Sequence, residues 1–259
     1  MKERPILFNA AMVKAILSGR KTQTRRFIQS PARTMQANNI NCISYREPGD
    51  KWYQDYVFSM RDRSGTWQDY TKEQFLAKCP LGHPGDQLWV RETFATLGNE
   101  DGCAIDWQEN LVKAGGPDAA RVYRASCEQR PGNYGLWSIP DDAFWKPHTE
   151  NMQYEGSWVP SIHMPRWASR IHLEITNVGV QRLQDISPGD AVREGICQLP
   201  ASGRYCINPG DQYFGGASRS AKEVYSWLWE SIYGEGSWQA NPWVWVIEFE
   251  RVAPAGERS

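Results

Sequence analysis

The hydrophobic and polar positions of this chain fall into a few periodic segments separated by long stretches without period. Ile6-Leu7-Phe8 reads as a short strand, and Met12-Val13-Lys14-Ala15-Ile16-Leu17 as the apolar side of a helix over Ala10 to Ser18. Gly19 can take the left-handed conformation that ends such a helix. The turn Pro84-Gly85-Asp86 leads into Gln87-Leu88-Trp89-Val90-Arg91-Glu92-Thr93, which alternates as a half-buried strand does. Ile171 to Val178 alternates and is β-branched, and Val180 to Leu183 extends it past Gly179. Ser187 suits a helix N-cap and Pro188 the first helical position, which predicts a helix through Arg193 and Glu194 to Gly195. Ala221 to Ile232 has helical spacing, with Val224, Trp227, Leu228 and Ile232 apolar. Trp243 to Val252 is the last strand, with Trp243 and Trp245 on one face. Trp227 and Trp229, two apart on a helix, cannot share a face.

Between these segments the chain is polar or rich in Gly, Pro and Trp. The run from Asp50 to Thr71 reads as a hairpin and Arg121 to Ala125 as a strand, and the tail after Ala253 reads as disordered. With no internal repeat and no clean linker, the pattern predicts one domain, mainly β with short helices, in the α+β class. Its core lies at about 5–27, 84–93, 169–196 and 241–252, with insertions at about 28–83, 94–168 and 197–240.

Composition narrows the partners. The 259 residues are 41% hydrophobic, enough for a substantial core, and carry a formal net charge of -1. A protein that coats nucleic acid is excluded, and any such contact must be local. One local excess exists: from Arg4 to Arg46 there are eight Lys/Arg and no Asp or Glu, which points to an anionic partner. Thirteen tryptophans supply aromatic faces of the kind that stack on nucleobases. No run of eighteen apolar residues exists and Met1 to Pro5 lacks the apolar core of a signal peptide, so no membrane partner is expected. The six cysteines form no C-x-x-C pair and read as reduced thiols of the cytoplasm. Cys79 and His83 would need a remote cysteine to hold zinc, and the second half of such a site has no spacing signature, so no metal is assigned.

The candidate chemistry lies at Gly19-Arg20-Lys21-Thr22-Gln23-Thr24-Arg25-Arg26. Lys21 precedes the Thr24 hydroxyl by three residues. A lysine partly desolvated in a core loses its proton near neutral pH and can then take a hydroxyl proton, as Ser–Lys hydrolytic pairs do. The plainer reading is that Lys21 and Thr24 cap a helix and bind phosphate. Arg20, Arg25 and Arg26 suit phosphate or ribose. A second cluster, His163, Arg166, Trp167 and Arg170, mixes cations with an aromatic, and Pro160 and Pro165 are expected to hold it extended for base stacking. Its plainer reading packs Trp167 in the core with the arginines outside.

These residues resemble the ASCH domain, a small β-barrel of the PUA-like superfamily, whose opening helix ends in a G-x-K-x-x-x-R signature, here Gly19, Lys21 and Arg25. The chain is most similar to the bacterial N(4)-acetylcytidine amidohydrolase branch, in four blocks in the same order: Ile16 to Arg26, Gly85 to Val90, Leu173 to Glu194, and Val246 to Phe249. It also resembles longer phage and prophage ASCH proteins through Pro84 to Glu92 and His163 to Arg170. The resemblance implies a PUA-like barrel with long inserted excursions and a catalytic set of Lys21, Thr24 and Glu194 that needs no cofactor. It implies a modified cytosine as partner, in a nucleoside or in RNA. Arg20, Arg25, Arg26, Glu92, His163, Arg166, Trp167 and Arg170 would then contact the substrate. For Glu92 an ion pair with a neighbouring arginine is the competing expectation.

Two function classes follow: an enzyme removing an acyl group from N(4)-acylated cytosine, or a non-catalytic PUA-like module that binds RNA or modified bases. Ribonuclease activity, also linked to the family, has no paired-histidine signature here. Nothing in the sequence sets the oligomeric state.

Overall fold

The computed structural model describes residues 1–99, 103–108, 110–126, 158–208 and 215–252. The tail after Ala253 and the thiol of Cys127 fall outside them. The chain gathers into two compact units: residues 1–2, 20–86 and 174–250 form one, and residues 3–19, 87–173 and 251–259 the other. Strands and a few short helices build both, an α+β arrangement.

In the first unit, most of the strand His172–Arg182, the strand Trp243–Val252 and the strand Gln23–Phe27 lie side by side in that order. The last pair is antiparallel, with Ile247 opposite Thr24 and Val246 opposite Arg25. The continuous apolar run from Trp243 to Ile247 explains the central place of this strand: Val244, Trp245, Val246 and Ile247 are all buried, so both of its faces are covered. Gln23–Phe27 is an edge strand that the sequence pattern does not announce, because its buried residues, Gln23, Thr24 and Arg25, are polar.

The 28–83 segment folds into its own three-stranded sheet, Ile43–Tyr45, Phe58–Arg61 and Trp67–Tyr70. The hairpin expected between Asp50 and Thr71 is therefore confined to residues 58–70. Asp62 turns it by accepting from the backbone N–H of Ser64 and Thr66, with Gly65 at φ +86°. Phe58 stacks on Phe75 of the capped helix Lys72–Leu76, and Phe75 lies 5.5 Å from Trp245, so an aromatic layer joins this sheet to the central strand. The helix Ala221–Tyr233 buries Val224, Tyr225, Leu228 and Trp229 and leaves Trp227 on its wet side.

In the second unit, Glu3–Leu7 runs parallel to Gln87–Arg91. Pro5 has no N–H to give, which suits an edge strand. Asn9 caps the helix Ala10–Leu17 by accepting from Met12 N–H at 2.9 Å, and Gly19 closes it at φ +73°. Arg121–Tyr123 pairs with Phe94–Thr96 and then tightens into a 3-10 turn, so the strand expected to Ala125 ends two residues early. Residues 161–168 are extended only at Met164 and Pro165. They form two 3-10 turns, Ser161–His163 and Arg166–Ala168, because Pro160 and Pro165 stand at the entry of each and their carbonyls accept from His163 and Ala168 N–H.

Edge strands remain in both units. Among the described residues no sheet closes on itself into a barrel.

Candidate functional site

The first unit buries a four-residue charge network. Lys21 Nζ donates to Glu194 Oε2 at 2.8 Å and to the Glu194 carbonyl, also at 2.8 Å. Arg25 Nη1 donates to Glu194 Oε1 at 2.9 Å, and Arg25 Nη2 lies 3.5 Å from Asp190 Oδ2. The side chains of Lys21 and Arg25 are 0% exposed and that of Glu194 1%.

Local structure explains the convergence. Ser187 accepts from Asp190 N–H and caps the helix Pro188–Arg193, which places Asp190 and Glu194 four residues apart on one face. Gly195 follows at φ +108°, a backbone that only glycine adopts cheaply, and ends the helix at Glu194. Thr22 then ties the motif down with its backbone: its N–H donates to Arg193 and its carbonyl accepts from Phe249 N–H, both at 2.9 Å. Strand alternation turns Gln23 and Arg25 to the helix side. Oriented to satisfy the network, the Gln23 and Gln181 amide oxygens accept from the Arg25 guanidinium at 2.7–3.2 Å, and the Gln23 amide donates to Asp190.

The electrostatics follow from burial. Desolvation pulls the Lys21 ammonium below its ordinary 10.5, against the Glu194 carboxylate that supports it, with Arg26 and Arg25 pulling the same way as burial. Tyr225 is fully buried; burial first, and Glu194 next, push its phenol well above 10.0, so it stays protonated. The site thus sets an amine with a weakened hold on its proton directly against a carboxylate.

Thr24 is placed differently. It is buried, but alternation turns it to the sheet face opposite Gln23 and Arg25, beside Ile247. Arg20 donates to the Gly195 carbonyl at 2.9 Å, and Arg26, half-buried, lies opposite Trp245.

The remaining residues singled out in the sequence lie in the second unit. Arg170 makes a two-pronged pair with buried Glu92, at 2.9 and 3.1 Å, and stacks over Tyr123. Arg91 instead donates to the Ile162 carbonyl. Arg166 forks onto Glu3 at 2.8 and 3.0 Å and reaches both ring nitrogens of His172. Trp167 packs on the core of Phe94, Met164 and Ala168, and His163 is exposed. Three of the four cluster residues are thus committed to partners within the fold.

Gln23, Gln181 and Asp190 complete the network, Tyr225 lies within reach of the Glu194 charge, and none of the four is among the site residues expected from the sequence. Asp190 carried a signal, standing one helical turn before Glu194; Gln181 carried none. Gln181 also borders a cavity of about 830 Å³, so the chain Gln181–Arg25–Glu194–Lys21 connects that cavity to the buried ammonium. Among the described residues no group of three or more His, Cys, Asp or Glu could hold a metal, and no helix is long and apolar enough to cross a membrane. Compared with protein-family models, with curated proteins and with solved structures, the chain matches none.

Proposed function

We propose that this chain is a hydrolase that removes the acyl group from an N(4)-acylated cytosine, with Lys21 and Glu194 as its acid–base pair and a PUA-like arrangement as its frame. The observation that carries the reading is the fully buried Lys21 Nζ, 2.8 Å from Glu194 Oε2 and lowered in pKa by desolvation. In this scheme Lys21 first passes its proton to Glu194; water then attacks the acyl carbon, and its proton passes to the amine so freed. The bond from that carbon to the cytosine nitrogen breaks, and the nitrogen takes a proton back from the pair. The products are the free cytosine amine and a carboxylic acid, which releases its proton to solvent as it leaves. Arg25 holds Glu194 in place and Tyr225 stays a neutral neighbour. Thr24 fits this route better as a packing residue than as the nucleophile, given the face it occupies.

A second reading, a module that binds modified bases without turnover, is favoured by the closure of the network. Both oxygens of Glu194 are already taken by cations of the chain.

Purified protein with N(4)-acetylcytidine, followed by ultraviolet absorbance beside Lys21→Met, separates the two. Turnover that the substitution abolishes and Thr24→Ala preserves is the expected result. Turnover lost equally in Thr24→Ala would restore the threonine as nucleophile. No turnover by the folded wild-type chain would leave the binding module.

A further inference from the structure

The 28–83 segment does more than decorate the first unit. Together with Val180, Gln181, Asp185 and Trp243 it lines the open cavity of about 830 Å³ noted above, a volume suited to a small organic ligand. One wall is aromatic. Tyr45 and Phe58 lie 5.1 Å apart centre to centre, and each stands 6.0 Å from Trp243. Tyr45 is 40% exposed, so the wall reaches solvent. The polar lining has one sign: Glu47, Asp55, Glu73 and Asp185 face a single ammonium, Lys72. Glu47, Asp55, Glu73 and Asp185 are themselves exposed and so open to a cation from solution. A guanidinium of this chain already rests on the wall, with Arg182 Cζ 4.5 Å from the Trp243 ring centre.

Aromatic faces attract cations through the ring quadrupole, and a rim of several carboxylates raises the local concentration of positive charge. Phosphate is repelled by the same rim. An extended alkyl body would cover the rings while separated charges meet separate carboxylates. We propose that this cavity is a binding site for a linear aliphatic polyamine, a ligand with two or more ammonium groups on an alkyl chain. The proposal is independent of the hydrolase reading, because it uses neither Lys21 nor Glu194.

Spermidine is the probe, titrated calorimetrically into the full chain at low ionic strength, with putrescine and sodium chloride of matched ionic strength beside it. The expected result is saturable one-to-one binding of spermidine, weaker binding of putrescine and none of sodium. Glu47→Gln with Asp185→Asn, both exposed and so compatible with folding, should weaken spermidine about tenfold, since two exposed charge contacts are removed. Glu235→Gln with Glu250→Gln, exposed carboxylates outside the cavity lining, should bind as the wild type does. Tyr45→Leu should weaken binding further by taking away an exposed ring. Absence of saturable heat with the wild type would overturn the proposal. Equal weakening by the two double variants would also overturn it, because attraction would then come from overall charge.

Discussion

At the scale of single residues the decisive fact is that one carboxylate serves two buried cations. Removing either partner of a buried pair leaves the other desolvated and uncompensated. The consequences are unequal here. Lys21→Met removes a charge and leaves Glu194 with Arg25, whereas Glu194→Gln leaves buried Lys21 with neutral oxygens only and Arg25 with the more distant Asp190 and the two glutamines. Glu194→Gln should therefore destabilise the fold by about 3–5 kcal/mol, and Lys21→Met by clearly less. Urea unfolding midpoints of the two variants check this; equal losses would mean that the cations are rescued by water. The lowered pKa of Lys21 gives a second expectation. Between its folded value and the ordinary 10.5 the unfolded chain binds more protons, so stability rises with pH across that window. Tyr225 acts in the opposite sense, but only above 10.0. Unfolding measured from pH 7 to 9.5 should show the rise in the wild type and a flatter profile in Lys21→Met. The network was half legible. Lys21 and Glu194 were singled out by resemblance to a family motif, whereas Gln23 and Gln181 were not, because glutamine on a strand carries no periodic or chemical signature until its partner is known.

At the scale of elements, two backbone devices present Glu194. The Ser187 hydroxyl caps the helix Pro188–Arg193, and Gly195 ends it with a positive φ. Replacing Gly195 by Ala forces a side chain into that region at about 1–2 kcal/mol. It should also swing the Glu194 carbonyl from Lys21, so the variant should lose turnover beyond its loss of stability. A melting curve and an assay on the same sample distinguish the two effects; full activity at a reduced Tm would show that the carbonyl contact is dispensable. Ser187→Ala should cost about 1 kcal/mol without displacing the carboxylate. Cap and stop signals of this sort are written in single residues, which is why this helix was readable in advance. The edge strand Gln23–Phe27 was not, since Gln-Thr-Arg-Arg-Phe has the look of a solvated turn. It becomes a strand only because Trp243–Val252 offers it a partner and the short helix offers its arginine a carboxylate. The turns at 161–168 went the same way: prolines that would stiffen an extended segment instead begin two helical turns.

At the scale of the whole molecule, charge is nearly balanced, and the basic excess of residues 4–46 is partly consumed inside the fold, by Glu194 and Asp190 in one unit. Acidic pH should reveal the other unit's weak point. His172 lies against the Arg166 guanidinium, and burial first, then Arg166, lower its pKa below 6.5, against the bond it gives to the Ser169 backbone and the Glu3 charge. The unfolded chain then takes up more protons as pH falls through 6.5, so stability declines there and is full above it. His172→Gln should flatten that decline in thermal melts between pH 7.5 and 5. An unchanged slope would assign the acid sensitivity to other groups.

By itself the sequence determined the class of fold and most of its periodic elements, because alternation, helical spacing, caps and glycine stops are local properties. It also marked Lys21 and Glu194 as worth watching. Tertiary structure alone decided that Arg25 and Gln181 join them, that Thr24 faces away, that Arg166 and Arg170 are held by Glu3 and Glu92, and that the 28–83 segment walls a cavity. The physical reason is the same in each case: a charge or an amide is satisfied by whichever partner lies opposite after folding, and that partner stands up to 173 positions away in the chain.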